Sequence, residues 1–163
     1  MYDGTAVSSS RIMTSLDYGI ASREAFEIFA QNHDFDALDY ILELDGYGYY
    51  MMNILDYLVG NTDRHWGNWG LLIHNENNQP IRLHDLMDFN QSFGAYDTVD
   101  GTHCMTVRQR GISQKDAALE AVERVGLNQI AEIQQEWFGN RKNIYAMLME
   151  RLDTLRCHGR KSQ

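Results

Sequence analysis

Proline is almost absent from this chain, with Pro80 the single example. Chain reversals therefore fall to glycine, which clusters at Gly46 to Gly48, Gly60 to Gly70 and Gly94 to Gly111. Cysteine is scarce as well. Cys104 and Cys157 lie far apart and form no Cys-x-x-Cys pair, which excludes a disulfide framework or a zinc knuckle. Both read as ordinary thiols. Basic residues are outnumbered 14 to 23 by acidic ones, a formal net charge of −9. That balance argues against general nucleic-acid binding. Only Arg156 to Lys161 is locally basic, and basic side chains suit the end of a helix. No apolar run approaches the length of a membrane span. Met1 to Ser10 are small and polar, unlike a signal peptide, so the expected compartment is the cytoplasm. There is no internal repeat and no low-complexity tract.

What is present is enough for one ordinary domain over residues 1–163. Hydrophobic residues make up 44% of the 163, a globular composition able to close a core. Ser22 can cap a helix through Glu24 to Ala30, and Asp34 or Asp36 can cap the next, Ala37 to Leu44. Tyr47, Tyr50, Met51, Ile54, Leu55 and Leu58 then recur at helical spacing, which predicts an amphipathic helix ending at Gly60. The middle changes period. Trp69 to His74 reads as a short strand, Asn75 to Pro80 as a turn and Ile81 to His84 as the returning strand of a β-hairpin. Gly94 to Gly111 shows no clear period. Ser113 starts a helix that carries Ala117, Ala118, Ala121, Val122 and Val125 and ends at Gly126. Asn128 to Phe138 is expected to form another. Asn140 can cap the last, which buries Ile144, Leu148, Leu152 and Leu155. The expected fold class is mainly α (α+β), a helical bundle with one small β-hairpin.

The informative string is Gly60-Asn-Thr-Asp-Arg-His-Trp-Gly-Asn-Trp-Gly70. Fourteen residues beyond it comes His84-Asp-Leu-Met-Asp-Phe-Asn-Gln-Ser-Phe93. A hairpin returns its ends to each other, so it should bring Asn68 and Asp88 together. Phosphoryl transfer needs a carboxylate for the attacking hydroxyl, oxygen ligands for magnesium, and surroundings that fix both in line. Asp63 and Asn68 have the Asp-x-x-x-x-Asn spacing of a kinase catalytic loop. Asp88, in Asp88-Phe89-Asn90 after the hairpin, stands where a metal-holding aspartate belongs. Two carboxylates about 5 Å apart repel by roughly 3 kcal/mol at an effective dielectric near 20. A divalent cation removes that repulsion, and hard oxygen ligands suit magnesium. The segment has no thiolate, which disfavours a soft metal.

Asn61-Thr-Asp-Arg-His-Trp-Gly-Asn68 and Ile81-Arg-Leu-His-Asp-Leu-Met-Asp88 resemble the HipA-type serine/threonine kinases. They are also similar to the Asp-Arg-His-x-x-Asn and Asp-Phe-Gly strings of phosphoinositide lipid kinases. The matched block covers about 35 residues, and the α-rich flanks fit the C-terminal lobe of a protein kinase. The resemblance implies Asp63 as the catalytic aspartate and His65 as a loop-organising partner. It implies Asn68 and Asp88 as ligands of Mg2+ bound with ATP. It also implies a protein serine or threonine hydroxyl as acceptor, and the toxin–antitoxin setting in which such kinases often act. Two positions depart from the pattern: Asp85 replaces the usual proline and is expected to face solvent, and Asn90 replaces the lipid-kinase glycine. A larger departure is that no glycine-rich phosphate loop and no phosphate-binding lysine precede Asp63. The chain is therefore expected to be a C-lobe whose nucleotide-binding N-lobe is not included, with weak or no activity alone. An N-lobe or an antitoxin-like partner chain is the further partner this implies.

Two rival readings come from the residues. A pseudokinase or interaction module keeps the fold without turnover. A histidine–aspartate metal hydrolase would use His65, His74, His84 and His103, although their spacing matches no standard zinc motif. Trp66, Trp69 and Trp137 are expected to pack rather than to stack on a base. Arg108 and Arg110 follow the metal turn, where a substrate segment would lie, and are expected to be solvated charges.

Overall fold

The computed structural model describes residues 15–94, 96–107 and 111–160. Met1 to Ser10, Arg108, Arg110 and Lys161 lie outside the described residues. Strand β1 (Tyr18–Ser22) runs directly into helix α1 (Arg23–Asn32). Ser22 makes that switch, since its hydroxyl accepts from the Ala25 N–H at 3.1 Å while its own backbone stays extended. Helix α2 (Ala37–Val59) starts at Asp36, whose carboxylate accepts from the Leu38 and Asp39 N–H groups, both at 2.9 Å.

Helix α2 is broken once. Asp45 has φ −153° and ψ 58°, outside the helical region. Its carboxylate accepts from the Gly48 N–H at 2.9 Å and from the Leu83 N–H at 3.0 Å. One side chain thus restarts the helix and anchors strand β3 against it. The two helical runs expected on either side of Gly46 are therefore present and are joined at this residue.

The hairpin is present as β2 (Gly70–His74) and β3 (Pro80–Leu83). It is part of a three-stranded antiparallel sheet in the order β1-β2-β3, with Ser22 opposite Gly70 and Leu71 opposite Leu83. The sequence reading missed β1 because Tyr-Gly-Ile-Ala-Ser carries no alternation of apolar and polar residues. Among the described residues beyond β3, a bridge pairs His103 with Ser113, and α3 (Gln114–Val125) runs from its Ser113 cap to Gly126. A short 3-10 turn (Gln135–Phe138) and α4 (Lys142–Gly159) complete the chain.

Four other expectations are corrected. Asn128 to Phe138 is helical only over its last four residues. Ile130 and Ile133 are its two anchors on the core, and a short segment held by so little burial cannot sustain a helix. Asn140 does not cap α4, because Arg141 holds that position without a side-chain bond. Tyr47 and Leu55 are exposed, and the buried face of α2 instead carries Tyr49, Met52, Asn53, Asp56 and Tyr57. Trp137 is 62% exposed and does not pack in the core. Trp69, by contrast, is fully buried.

Two cores flank α2. Phe26, Ala30, Ile41, Tyr49, Met52, Trp69 and Leu71 join α1, the first part of α2 and the sheet. Ile54, Tyr57, Leu58, Ala118, Ala121, Leu152 and Leu155 join its last turns to α3 and α4. Each large side chain buried in this way contributes about 1.5–3 kcal/mol. Helix α2 belongs to both cores, so its C-terminal end and the loop that follows are held from two sides. The site is built on that loop.

Candidate functional site

Helix α2 ends on Gly60, in the left-handed conformation at φ 60°. A Cβ there would lie 2.6 Å from the Tyr96 ring, so the position requires glycine for space as well as conformation. Asn61 then aims the loop. It is buried, its amide donates to Asp56 Oδ1 at 3.0 Å, and its Oδ1 accepts from the Asp63 N–H at 3.2 Å. Gln114, at the start of α3, donates to the Asn61 carbonyl at 2.6 Å.

The Asp63 to Asn68 loop closes on itself. The Asn68 amide nitrogen donates to the Asp63 carbonyl at 2.8 Å, and the Asn68 N–H donates to the His65 carbonyl at 2.9 Å. Asn68 is therefore oriented, with Oδ1 left as an acceptor that bonds no described residue. The Asp63 carboxylate is partly open to solvent, and its nearest ionic neighbour is His65 Nε2 at 3.8 Å. His65 Nδ1 accepts from the Gly67 N–H at 3.0 Å. That bond lies within the loop. Trp66 stays partly exposed, with the Arg23 guanidinium 4.6 Å from its ring. The Glu24 N–H donates to the Trp66 carbonyl at 3.2 Å and the Arg23 N–H to the Trp69 carbonyl at 2.8 Å, so the loop rests on the start of α1.

The second piece arrives through the hairpin. The His84 N–H donates to the Gly70 carbonyl at 3.0 Å, which closes the hairpin at its base. His84 is buried, with Nδ1 bonded to the Asp85 carbonyl at 2.8 Å. Burial is the main cause that pushes its pKa down, the bond to Asp85 opposes it, and the nearby Arg64 cation adds to it. Asp85 faces solvent and pairs with Arg82 at 2.9 Å.

Asp88 has φ 56°. The left-handed region is uncommon outside glycine, although Asp and Asn enter it more readily than other residues. Its carboxylate is exposed and bonds no described residue.

Arg64 joins the two pieces. It is only 2% exposed. Its Nε donates to Asp56 Oδ2 at 2.9 Å and its Nη2 to Asp56 Oδ1 at 3.0 Å, a two-pronged ion pair. Its Nη1 donates to the Asn68 carbonyl at 2.9 Å and to the Met87 carbonyl at 2.7 Å. The guanidinium carbon lies 4.7 Å from the centre of the Phe89 ring. A single nitrogen atom thus touches the residue that carries one expected magnesium ligand and the neighbour of the other. The hairpin does bring the Asn68 and Asp88 segments together, and a buried arginine holds them there.

The donor set fits magnesium. The cation takes oxygen ligands, often one or two from protein and the rest from phosphate and water. Asn68 Oδ1 and the Asp88 carboxylate are oxygens that bond no described residue, and Asp63 lies on the same loop. The four histidines do not converge. His65 is on the loop, His74 packs against Tyr18 in the sheet at 5.1 Å, His84 is buried and His103 is at the bridge to Ser113. Among the described residues no group of three or more histidine, cysteine or acidic side chains is placed to hold a metal. Both cysteines are free, Cys104 buried and Cys157 exposed.

Asp56, Asn61, Arg64 and Gln114 are the residues that sequence reasoning passed over. Asp56 had only a weak signal, because the apolar stripe expected on α2, from Tyr47 to Leu58, does not include its face. A charge on a buried face needs a partner, and Arg64 is the first arginine after it. Gln114 had none, since its contact with Asn61 spans 53 positions. No protein-family model, curated protein or solved structure matches this chain.

Proposed function

We propose that this chain carries the catalytic and magnesium-binding half of an ATP-dependent phosphotransferase of the HipA-like serine/threonine kinase type. The observation that carries the reading is the Arg64 bridge, which brings the Asp63–Asn68 loop and the Asp88 turn into one site. Asn68 Oδ1 and the Asp88 carboxylate would hold the cation beside the nucleotide phosphates. When bound, Mg2+ neutralises charge on the transferring phosphoryl group. The Asp63 carboxylate orients the acceptor hydroxyl and takes its proton as the oxygen–phosphorus bond forms. The bond from the γ-phosphorus to the β–γ bridging oxygen breaks, and ADP leaves with that electron pair. A lobe that grips the nucleotide completes the reaction, supplied by the parent protein or a partner chain.

Transfer from γ-labelled ATP to casein, with and without Mg2+, tests the assignment in a protein that joins this chain to a nucleotide-gripping lobe. Asp63→Asn is expected to lower the rate by about 100-fold or more. Its side chain is partly exposed, so the unfolding midpoint should stay within about 0.5 kcal/mol of the parent. Equal rates for Asp63→Asn and the parent would remove Asp63 from the chemistry. Magnesium-dependent nucleotide binding without any transfer would favour a non-catalytic module on the same fold.

A further inference from the structure

Asp88 sits in a conformation that its own backbone disfavours, at φ 56°. Its two neighbours in sequence both touch one side chain. The Met87 carbonyl accepts from Arg64 Nη1 at 2.7 Å, and the Phe89 ring lies under the Arg64 guanidinium at 4.7 Å. The same Nη1 also reaches the Asn68 carbonyl at 2.9 Å. Arg64 cannot swing, because both oxygens of Asp56 hold its other edge. Asp56 cannot swing either. It lies in the last turn of α2, and Asn61 donates to its Oδ1 at 3.0 Å.

We propose that Asp56 and Arg64 form a positioning pair that fixes the separation and aim of Asn68 and Asp88 without touching the cation. The inference rests on the magnesium-binding reading above and goes beyond it. It assigns the geometry of the cation site to two buried residues outside the ligand set. The planar guanidinium is what makes the device work. Its fork serves both Asp56 oxygens while a third nitrogen spans two carbonyls from separate segments. A lysine keeps the charge but offers a single point of donation, so it can satisfy Asp56 or the carbonyls but not the whole set.

The test uses the full chain labelled with 15N, with Mn2+ plus ATP as the paramagnetic probe. In the parent, the Asn68 side-chain amide and the Phe89 backbone amide should broaden together as Mn2+ is added. Arg64→Lys is expected to weaken Mn2+ binding by about 10- to 100-fold, the range seen when outer residues orient a metal ligand. The two signals should then broaden at different Mn2+ concentrations. Asp56→Asn keeps the shape but not the charge, and should show a smaller change of the same kind. Arg151→Lys is the control, because Arg151 is equally buried and binds backbone carbonyls elsewhere. It should leave Mn2+ affinity unchanged in folded protein. Parent binding that neither Arg64→Lys nor Asp56→Asn alters overturns this inference alone. Unfolding of both variants overturns it too, since the pair is then a folding element only. Absence of Mn2+ binding with ATP, both in this chain and in a protein that joins it to a nucleotide-gripping lobe, overturns the phosphotransferase reading, and this inference with it.

Discussion

Gly70→Ala should damage this protein far more than its chemistry suggests. Gly70 opens β2, two residues after Asn68, and pairs with Ser22 of β1. A Cβ at this position would lie 2.8 Å from both the Ser22 carbonyl carbon and Cα, and closer still to the Ala21 carbonyl oxygen. Carbon atoms pack at about 3.5–4.0 Å, and all three neighbours are backbone, which has no rotamer to yield. The strands must move apart by roughly 1 Å, and local ladder bonds lengthen with them. Overpacking strain of about 1–3 kcal/mol and one or two weakened hydrogen bonds at about 1 kcal/mol each give a loss of about 3 kcal/mol. In a domain of this size that lowers Tm by roughly 6–12 °C. Urea unfolding followed by circular dichroism measures it. Gly46→Ala is the companion. A Cβ there meets only Tyr50, at an ordinary 3.9 Å, so the same added methyl should be neutral or stabilise by about 0.5 kcal/mol. A Gly70→Ala protein within 0.5 kcal/mol of its parent would show that β1 does not pack on β2 as described.

Two further outcomes follow from buried polar groups. His84 has its pKa lowered by burial, so the folded state holds the ring neutral while the unfolded chain protonates near the ordinary value. Stability is complete above about pH 6.5 and falls as pH drops below it, by up to about 1.4 kcal/mol per pH unit. Unfolding midpoints at pH 7.5 and 5.5 should therefore differ more in the parent than in His84→Gln. Arg151 is fully buried on α4 and donates to the Tyr57 and Thr98 carbonyls, both at 2.6 Å. Arg151→Met leaves both carbonyls without that donor and should cost about 3 kcal/mol in urea unfolding. A neutral result there would mean that the Gly60 N–H, already 3.2 Å from the Tyr57 carbonyl, suffices for it and that the Thr98 carbonyl finds another donor.

The helices were legible where a cap and a stop coincide in sequence. Ser22 and Asp36 start helices, Gly60 stops one, and Ser113 and Gly126 bracket another, because each acts on groups within a few positions. The hairpin was legible for the same local reason. Strand β1 was not, since Tyr18 to Ser22 becomes a strand only by pairing with residues about 50 positions later. The face of α2 was misjudged because the helix lies between two cores. Its buried side therefore includes Asn53 and Asp56, which no apolar stripe reveals. Asp63, Asn68 and Asp88, the residues of the proposed site, stand out in the sequence by residue type and spacing. The device that joins them does not, because it depends on a polar pair buried between segments. Asp56 to Arg64 to Met87 is a chain of contacts that only the fold brings into line.

Magnesium-dependent nucleotide binding tests the central claim most directly. Isothermal calorimetry should compare ATP with and without Mg2+ for this chain alone and for a larger protein in which it is joined to a nucleotide-gripping lobe. The expected result is binding that requires Mg2+ and is weakened by Asp88→Asn in both, and more tightly held in the larger protein. No heat with Mg2+ and ATP in either protein, or binding that Asp88→Asn leaves unchanged, would contradict the assignment of Asn68 and Asp88 as the cation site.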